Sequence, residues 1–206
     1  MKKIILTVVV FTFGFVNAQE VKFGAKAGLN FANLTGDIED ASMKIGFNLG
    51  GFAEIKVSDK FSVQPELLYS TQGAKNETSE DGFTSESKLN LSYLNIPIMA
   101  KYYVSEKFSL EAGPQIGFLL SAKSKYEFTE SDGEGGSISV SGDEDVKDSF
   151  ESIDFGLNLG TAYDFTENLF AGLRYNIGLS NVAKTESGDD TKINNSVISL
   201  SLGYRF

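Results

Sequence analysis

Residues 193–206, INNSVISLSLGYRF, decide the fold of this chain. From Ile198 to the terminal Phe206, an apolar side chain occupies every second position, and Ser, Gly or Arg occupies each position between them. A period of two is that of a β-strand with two unlike faces. Seven earlier segments repeat the alternation, and none of them places a charge on its apolar face. The pattern predicts an all-β chain in which each strand has one apolar side.

The alternation predicts eight strands, each long enough to cross the hydrocarbon layer of a membrane, for which a tilted strand needs roughly 9–11 residues. They are Val21–Phe31, Lys44–Lys56, Phe61–Gln72, Lys88–Val104, Phe108–Ala122, Ser152–Phe165, Leu169–Ser180 and Ile193–Phe206. No later stretch resembles a membrane-spanning helix. One domain is sufficient for a chain of this length.

The connections between these strands alternate in length. Those at 57–60, 105–107 and 166–168 are short, whereas those at 32–43, 73–87, 123–151 and 181–192 are long and acidic. In an up-and-down barrel this order places every long loop at one end and both termini at the other, as in outer-membrane barrels. We therefore predict an eight-stranded antiparallel up-and-down transmembrane β-barrel, apolar outside and polar inside.

A soluble barrel would show the same alternation with its apolar face turned inward. Three features favour the membrane barrel. Aromatic residues collect near both ends of the apolar faces, as expected at two membrane–water interfaces. Phe206 ends the chain in register with the apolar face. The polar face carries many glycines, such as Gly113 and Gly160, which make room inside a narrow cylinder.

Eight strands enclose an interior just wide enough for side chains to fill, and the polar faces would line it. The charged residues of these faces are nearly balanced, with six positive and five negative groups when Lys44 and Asp164 are included. Nine of them are predicted to form a lumen ionic network: Lys22, Lys26, Glu54, Glu66, Lys101, Glu111, Asp154, Arg174 and Arg205. Buried charges must pair or stay hydrated, which favours a packed ionic core. The alternative is a narrow gated pore whose ion pairs rearrange.

Two features strain the simple pattern. In the fourth predicted strand the apolar residues change phase between Leu91 and Leu94, which indicates either a bulge near residues 92–94 or a segment above the bilayer. Pro65, Pro97 and Pro114 fall inside adjacent strands. Because each Pro leaves a ladder acceptor without its donor, we expect local bulges at these three positions.

The first residues are predicted to be a secretory signal. Two lysines precede an apolar run from Ile4 to Val16, and small residues ending at Ala18 suit a cleavage site. The chain then divides into a signal peptide, residues 1–18, and an outer-membrane barrel domain, residues 19–206. The alternative is an uncleaved membrane anchor, which the short apolar run disfavours.

The composition excludes much chemistry. With no Cys and no His, the chain has no disulfide, no thiolate metal site and no Ser-His-Asp triad. A formal net charge of −10 argues against nucleic acid as a partner. Asp143-Glu144-Asp145 and Asp189-Asp190 could attract calcium, but neither follows the spacing of a calcium loop. We therefore predict no catalytic residue, metal site or cofactor.

Three motifs carry a resemblance to a known family. Residues 64–69 (QPELLY), 93–103 (YLNIPIMAKYY) and 112–117 (AGPQIG) resemble the small "porin family" outer-membrane β-barrel proteins of Bacteroidota, which include PorT-like proteins. The resemblance implies an outer-membrane barrel similar in architecture to OmpX and the OmpA membrane domain. It implies no shared activity, because one fold hosts many functions. PorT itself is tied to protein secretion.

The sequence predicts a monomeric integral outer-membrane protein with a mostly plugged lumen. It would act in envelope structure, or in partner or ligand binding through its acidic external loops, whose partner the sequence does not name. A narrow pore and a secretion accessory are the alternatives, and an enzyme is the weakest class. Expected contacts are outer-membrane lipid, lipopolysaccharide and the barrel-assembly machinery, for which Leu202, Tyr204 and Phe206 would form the C-terminal assembly signal.

Overall fold

The structure, a computed structural model, describes residues 20–38, 41–80, 83–131, 137–185 and 190–206. It contains the strands β1 (Val21–Gly36), β2 (Ser42–Ser58), β3 (Phe61–Gln72), β4 (Ala74–Glu80), β5 (Phe83–Tyr103), β6 (Phe108–Ser131), β7 (Ser137–Asp145), β8 (Ile153–Asp164), β9 (Leu169–Gly178) and β10 (Ile193–Arg205). A 3₁₀ turn covers Lys147–Ser149. No helix among these residues is long and apolar enough to cross a membrane. The predicted signal peptide lies outside the described residues.

Eight of the strands close into a barrel. Each pairs antiparallel with its neighbours in the order β1-β2-β3-β5-β6-β8-β9-β10, and β10 returns to β1 with Leu200 opposite Leu29. Closure gives every strand of the ring two partners, which leaves no free backbone edge in the wall. The predicted eight-stranded antiparallel barrel is confirmed.

The two faces of the wall point as predicted. Leu173 and Leu200 are 50% and 52% exposed on the outer surface, whereas Lys101 and Gln64 are fully buried inside. Exposed aromatic side chains border this apolar surface at both ends, with Phe23 and Tyr204 near the short turns and Phe47 and Phe155 near the long loops. An apolar band with two aromatic borders is the surface of a transmembrane barrel.

Three of the predicted long loops, at 32–43, 73–87 and 123–151, are partly β-structure, which corrects the predicted strand bounds. Strand β5 begins at Phe83 rather than Lys88, and β6 continues to Ser131 rather than ending at Ala122. Strand β4 continues the register of β3 along β5, because Gln72 pairs with Leu91 and Lys75 pairs with Lys88. Strand β7 pairs with the distal part of β6. The order β4-β5-β6-β7 forms a four-stranded sheet beyond the barrel rim, which we call the external sheet.

A bulge lies at the predicted height near residue 92, but its extra residue belongs to the neighbouring strand β6. The register of β5 and β6 shifts between Ser92 and Tyr93, and the unpaired extra residue is Leu120 of β6. Leu91 and Tyr93 remain on the inner face of β5, where both are fully buried. The inner face itself changes from polar to apolar at this height, so the faces of β5 do not swap.

The bulges expected at the three prolines are absent. Pro65 lies opposite Ile98, Pro97 opposite Gln115 and Pro114 opposite Leu157, and the register of each pair is the same before and after the proline. A proline has an extended-compatible φ and lacks only one donor. The wall therefore loses one ladder bond at each site without shifting its register.

The outer face generates a test of its contact with lipid. Leu200 lies near the middle of the apolar band, so Leu200→Arg should lower the free energy of unfolding in lipid bilayers by about 2–4 kcal/mol. Leu179→Arg is the control, because Leu179 is also exposed on the surface but follows the outer end of β9, where the cost should be about 0–1 kcal/mol. Denaturant titration of both variants checks this, and equal losses would contradict the depth assigned to Leu200.

Candidate functional site

The middle of the lumen holds a layer of four charged side chains. They come from four strands that alternate around the ring: Lys26 from β1, Glu66 from β3, Glu111 from β6 and Arg174 from β9. Lys26 Nζ lies 2.8 Å from Glu66 Oε2, and Arg174 Nη2 lies 2.9 Å from Glu111 Oε2. Two positive and two negative charges make this central layer neutral.

Arg174 connects the two carboxylates of the central layer. Its two terminal nitrogens donate to both carboxylate oxygens of Glu66, at 3.0 and 2.9 Å, and Nη2 also donates to Glu111. Strands β3 and β9 lie on opposite sides of the ring, so this bidentate pair spans the lumen. The planar fork of a guanidinium suits such two-point binding, which a lysine cannot reproduce.

A second charged layer lies nearer the short turns. It is built from the other four strands of the ring: Glu54 from β2, Lys101 from β5, Asp164 from β8 and Arg205 from β10. Arg205 lies 3.0 Å from both Glu54 and Asp164, and Lys101 lies 3.2 Å from Glu54. This lower layer is also neutral.

Lys101 joins the two layers into one network. Its Nζ lies 3.4 Å from Glu111 of the central layer and donates to Gln64 Oε1 at 3.2 Å. The ammonium group also lies 5.2 Å from the ring centre of Phe170, and the Arg205 guanidinium lies 4.6 Å from the same ring. Charge pairing and cation–π contact therefore hold the lower layer together.

Glycines make room for the aromatic side chains of this end of the lumen. Phe52 and Phe170 meet edge to face, with ring centres 5.6 Å apart. A Cβ atom on Gly24 would lie 2.2 Å from the Phe52 ring, and one on Gly203 would lie 2.2 Å from the Phe170 ring. Any larger residue at Gly24 or Gly203 would displace a ring from the lumen.

Neutral amides fill the next part of the lumen toward the long loops. Asn48 donates to Asn30 at 2.6 Å, and Asn176 donates to Asn158 at 3.1 Å. The predicted network named only charged residues and left this set out, although the asparagines fall on the same alternating inner positions. The period-two pattern alone was sufficient to find them.

A small polar cavity of about 40 Å³ lies between the amides and the central layer, lined among others by Lys26, Gln72 and Asn176. Gln72 Oε1 and Asn176 Oδ1 are buried and accept no hydrogen bond within the described part of the protein. A cavity of this size accommodates water, which satisfies such acceptors. The lumen is therefore filled by side chains with space for a few ordered waters.

An apolar cluster closes the lumen at the long-loop end. Leu91 and Tyr93 of β5 pack there with residues of four other segments: Leu34, Ala74, Leu119, Ala122 and Val182. We call this cluster the apolar cap. Its members are buried, and those on β5 and β6 continue the inner face of the barrel wall. Solutes entering from this end would meet a closed hydrophobic layer.

Seven of the nine residues predicted for the network join it, and two do not. Lys22 is 39% exposed and pairs with Glu20 at 3.1 Å, at the mouth of a cavity of about 540 Å³ that opens near the short turns. Asp154 lies below the apolar cap, where its carboxylate accepts hydrogen bonds from Ser180 Oγ at 2.7 Å and Asn195 Nδ2 at 2.9 Å. Both residues face inward, but neither meets the charged layers.

The remaining predicted positions lie apart from the lumen. Leu202, Tyr204 and Phe206 are exposed on the outer face of the last strand, and their role in barrel assembly stays a prediction. Asp143-Glu144-Asp145 forms the end of β7, and Asp189 lies outside the described residues. Within the described ranges, no group of three or more acidic side chains is placed to hold a metal ion.

Comparisons with known proteins agree with this architecture. The family model described as "Outer membrane protein beta-barrel domain" matches residues 17–184. Among solved structures, Neisserial surface protein A superposes with a TM-score of 0.53 at 12% identity, covering 91% of this chain and 99% of that one. Ail, the attachment invasion locus protein of Yersinia pestis, gives 0.49 at 16% identity with the same coverage. No curated protein matches the sequence significantly.

The central layer generates a stability test. Arg174→Met removes the shared cation of Glu66 and Glu111 and should lower the free energy of unfolding by about 3–5 kcal/mol. Arg174→Lys keeps the charge without the fork, so its loss should be smaller. Because the chain has no Trp, unfolding in urea is followed by the gel mobility of folded and unfolded bands.

The matched control is Lys22→Met, which removes an exposed ion pair at the mouth. It should change the free energy of unfolding by less than ~1 kcal/mol. Equal effects of Arg174→Met and Lys22→Met would contradict a stabilising role for the central layer.

Proposed function

Because this chain belongs to the outer membrane protein β-barrel domain family, we propose that it is a closed barrel that acts at the cell surface through its external sheet. It would serve envelope structure or the binding of a partner or ligand. In outer-membrane barrels the long loops face outward and the short turns face the periplasm. That orientation presents the external sheet to the surroundings of the cell.

The observation that carries this proposal is the filling of the lumen. Two neutral charged layers, a set of hydrogen-bonded amides and the apolar cap follow one another along the axis. The cavity among them measures only about 40 Å³, which has room for a few water molecules. Solute passage would require several buried ion pairs to separate, which leaves charges unpaired at a cost of several kcal/mol each.

A conductance measurement separates this proposal from the narrow pore. Purified protein inserted into planar lipid bilayers should give no steady single-channel current, because the lumen is closed at several heights. A general porin prepared in the same detergent serves as the positive control for insertion and recording. Steady conductance of the folded protein would establish a pore and overturn the closed barrel.

Single cysteines test the orientation, because the natural chain has none. Ser141→Cys places an exposed thiol on β7, and Asp59→Cys places one in the turn between β2 and β3. A membrane-impermeant maleimide should label Ser141→Cys on intact cells and Asp59→Cys only after the outer membrane is permeabilised. The reverse labelling pattern would place the external sheet in the periplasm.

We also propose a closer relationship to one group within the outer-membrane barrels. The three sequence motifs support membership of the PorT-like group of Bacteroidota barrels, and a secretion role rests on that resemblance alone. We further propose a monomer in contact with outer-membrane lipid and lipopolysaccharide. Its insertion by the barrel-assembly machinery would use the exposed C-terminal residues Leu202, Tyr204 and Phe206.

A further inference from the structure

The external sheet has one apolar face that no residue of the described chain covers. Its large side chains are exposed, with Ile138 at 73%, Val140 at 59% and Phe83 at 43%. Tyr126 and Phe128 of β6 complete this set, each 40% exposed. Aromatic contacts tie the set together, since Phe128 lies 6.2 Å from Phe83 and 5.7 Å from Tyr126, measured between ring centres.

Strand register explains why these side chains share a face. Phe83 of β5 lies opposite Glu130 of β6, which lies opposite Ile138 of β7. Two residues along, Phe128 lies opposite Val140. Directly opposite residues of antiparallel strands point to the same side of a sheet. The apolar face therefore crosses three strands.

Lipid does not cover this face. Phe83 precedes Leu94, the first apolar residue of β5 on the outer face of the wall, by 94 − 83 = 11 residues, or about 36 Å of extended strand. The face also continues the inner side of the barrel wall, because Leu89 and Leu91 precede Tyr93 on it. Exposed apolar surface in water marks an interaction site.

Two ion pairs lie on the opposite face of the external sheet. Lys75 lies 2.7 Å from Glu77, and Lys88 lies 2.5 Å from Glu86. The hydrogen bond between Lys75 and Glu77 raises the pKa of the lysine and lowers the pKa of the glutamate, so both stay charged near neutral pH. These two ion pairs are neutral and leave no net charge for a partner.

The apolar face carries acidic groups and no basic one among its described side chains. Glu130 lies near the tip of the sheet and Glu144 near its base. No ion pair involves either carboxylate within the described ranges. Glu144 lies six residues along β7 from Ile138, the partner of Glu130, which is about 20 Å of strand. An apolar stripe is thus bordered by a negative charge at each end.

We propose that this face binds a cationic amphipathic peptide, in which Lys or Arg residues about 20 Å apart border an apolar stretch. The apolar side chains would cover Phe128 and Val140, and the basic groups would pair with Glu130 and Glu144. This inference rests on the proposed function and names the chemistry of its partner. Six residues of extended peptide, or roughly 13 of helix, span the required length.

A labelled peptide Lys-Ser-Phe-Ser-Phe-Ser-Lys is the probe, because its lysines and phenylalanines share one side of an extended strand. Fluorescence anisotropy with the full-length barrel in a zwitterionic detergent measures its affinity. Two control peptides replace either both lysines by Glu or both phenylalanines by Ser. The probe should bind at least about tenfold more tightly than either control. Equal affinity for all three, or no binding of the probe, would overturn the proposal.

Variants locate the site. Phe128→Ser and Val140→Ser should each weaken binding about tenfold. Glu130→Gln and Glu144→Gln should weaken it several-fold and reduce its dependence on salt, since exposed charge pairs are screened by salt. Glu127→Gln and Asp143→Asn are the matched controls, because they lie on the same strands but on the opposite face. Weakening by the control variants equal to that of their neighbours would overturn the assignment to the apolar face.

Folding and the proposed function are checked separately. Unchanged gel mobility of the folded band shows that each variant still forms the barrel. Suppose that the protein shows no conductance in lipid bilayers and that Ser141→Cys is labelled at the cell surface, but that no peptide binds. This result would refute the present inference and would still support a closed barrel at the cell surface. Steady conductance combined with specific peptide binding would refute the closed lumen and support the binding face.

Discussion

Every charge inside the barrel must find an opposite charge or hydrogen-bond donors there, because neither the wall nor the surrounding lipid offers water to replace them. The structure meets this constraint with two layers of four charges, each neutral and each drawn from alternate strands. Alternate strands present their inward side chains at the same height in a barrel. The strand stagger therefore decides which residues meet, and Arg174 meets Glu66 from the opposite wall.

The same constraint supports the proposal of a closed lumen over that of a pore. Charges that pair this completely stabilise the cylinder by packing across it, and they leave only a small space for water. The apolar cap then closes the outward end. Among the described residues, the surfaces open to other molecules include the external sheet at one end and, at the other, the mouth near the short turns, lined in part by Lys22 and Arg205. The sheet carries a set of large apolar side chains that are exposed.

Sequence periodicity predicted the wall correctly and the segments above it poorly. Within the wall, lipid on one side and a narrow lumen on the other force a strict alternation, so strand count, facing and most of the charged layers follow from the sequence. Lys22 and Asp154 face inward like the residues of the network, but they lie at different heights along the barrel axis. The alternating pattern shows which face a residue occupies and does not show its height. The pairing of Arg174 with Glu66 depends on barrel stagger, which also lies beyond a single strand's pattern.

The strands of the external sheet also alternate in sequence, although these segments are predicted as loops. Ile138 and Val140 alternate with serines, and Tyr126 and Phe128 alternate with charged residues. Their polar neighbours made these segments resemble linkers. Strand register shows that the apolar face of this sheet is not the outer face of the wall. It continues the inner one, which passes from Lys101 through Tyr93 to Phe83 along a single strand. One face of β5 thus changes from ionic to apolar as the strand leaves the barrel. The apolar cap that closes the lumen therefore continues into the apolar face of the external sheet, which is the face proposed to bind a partner.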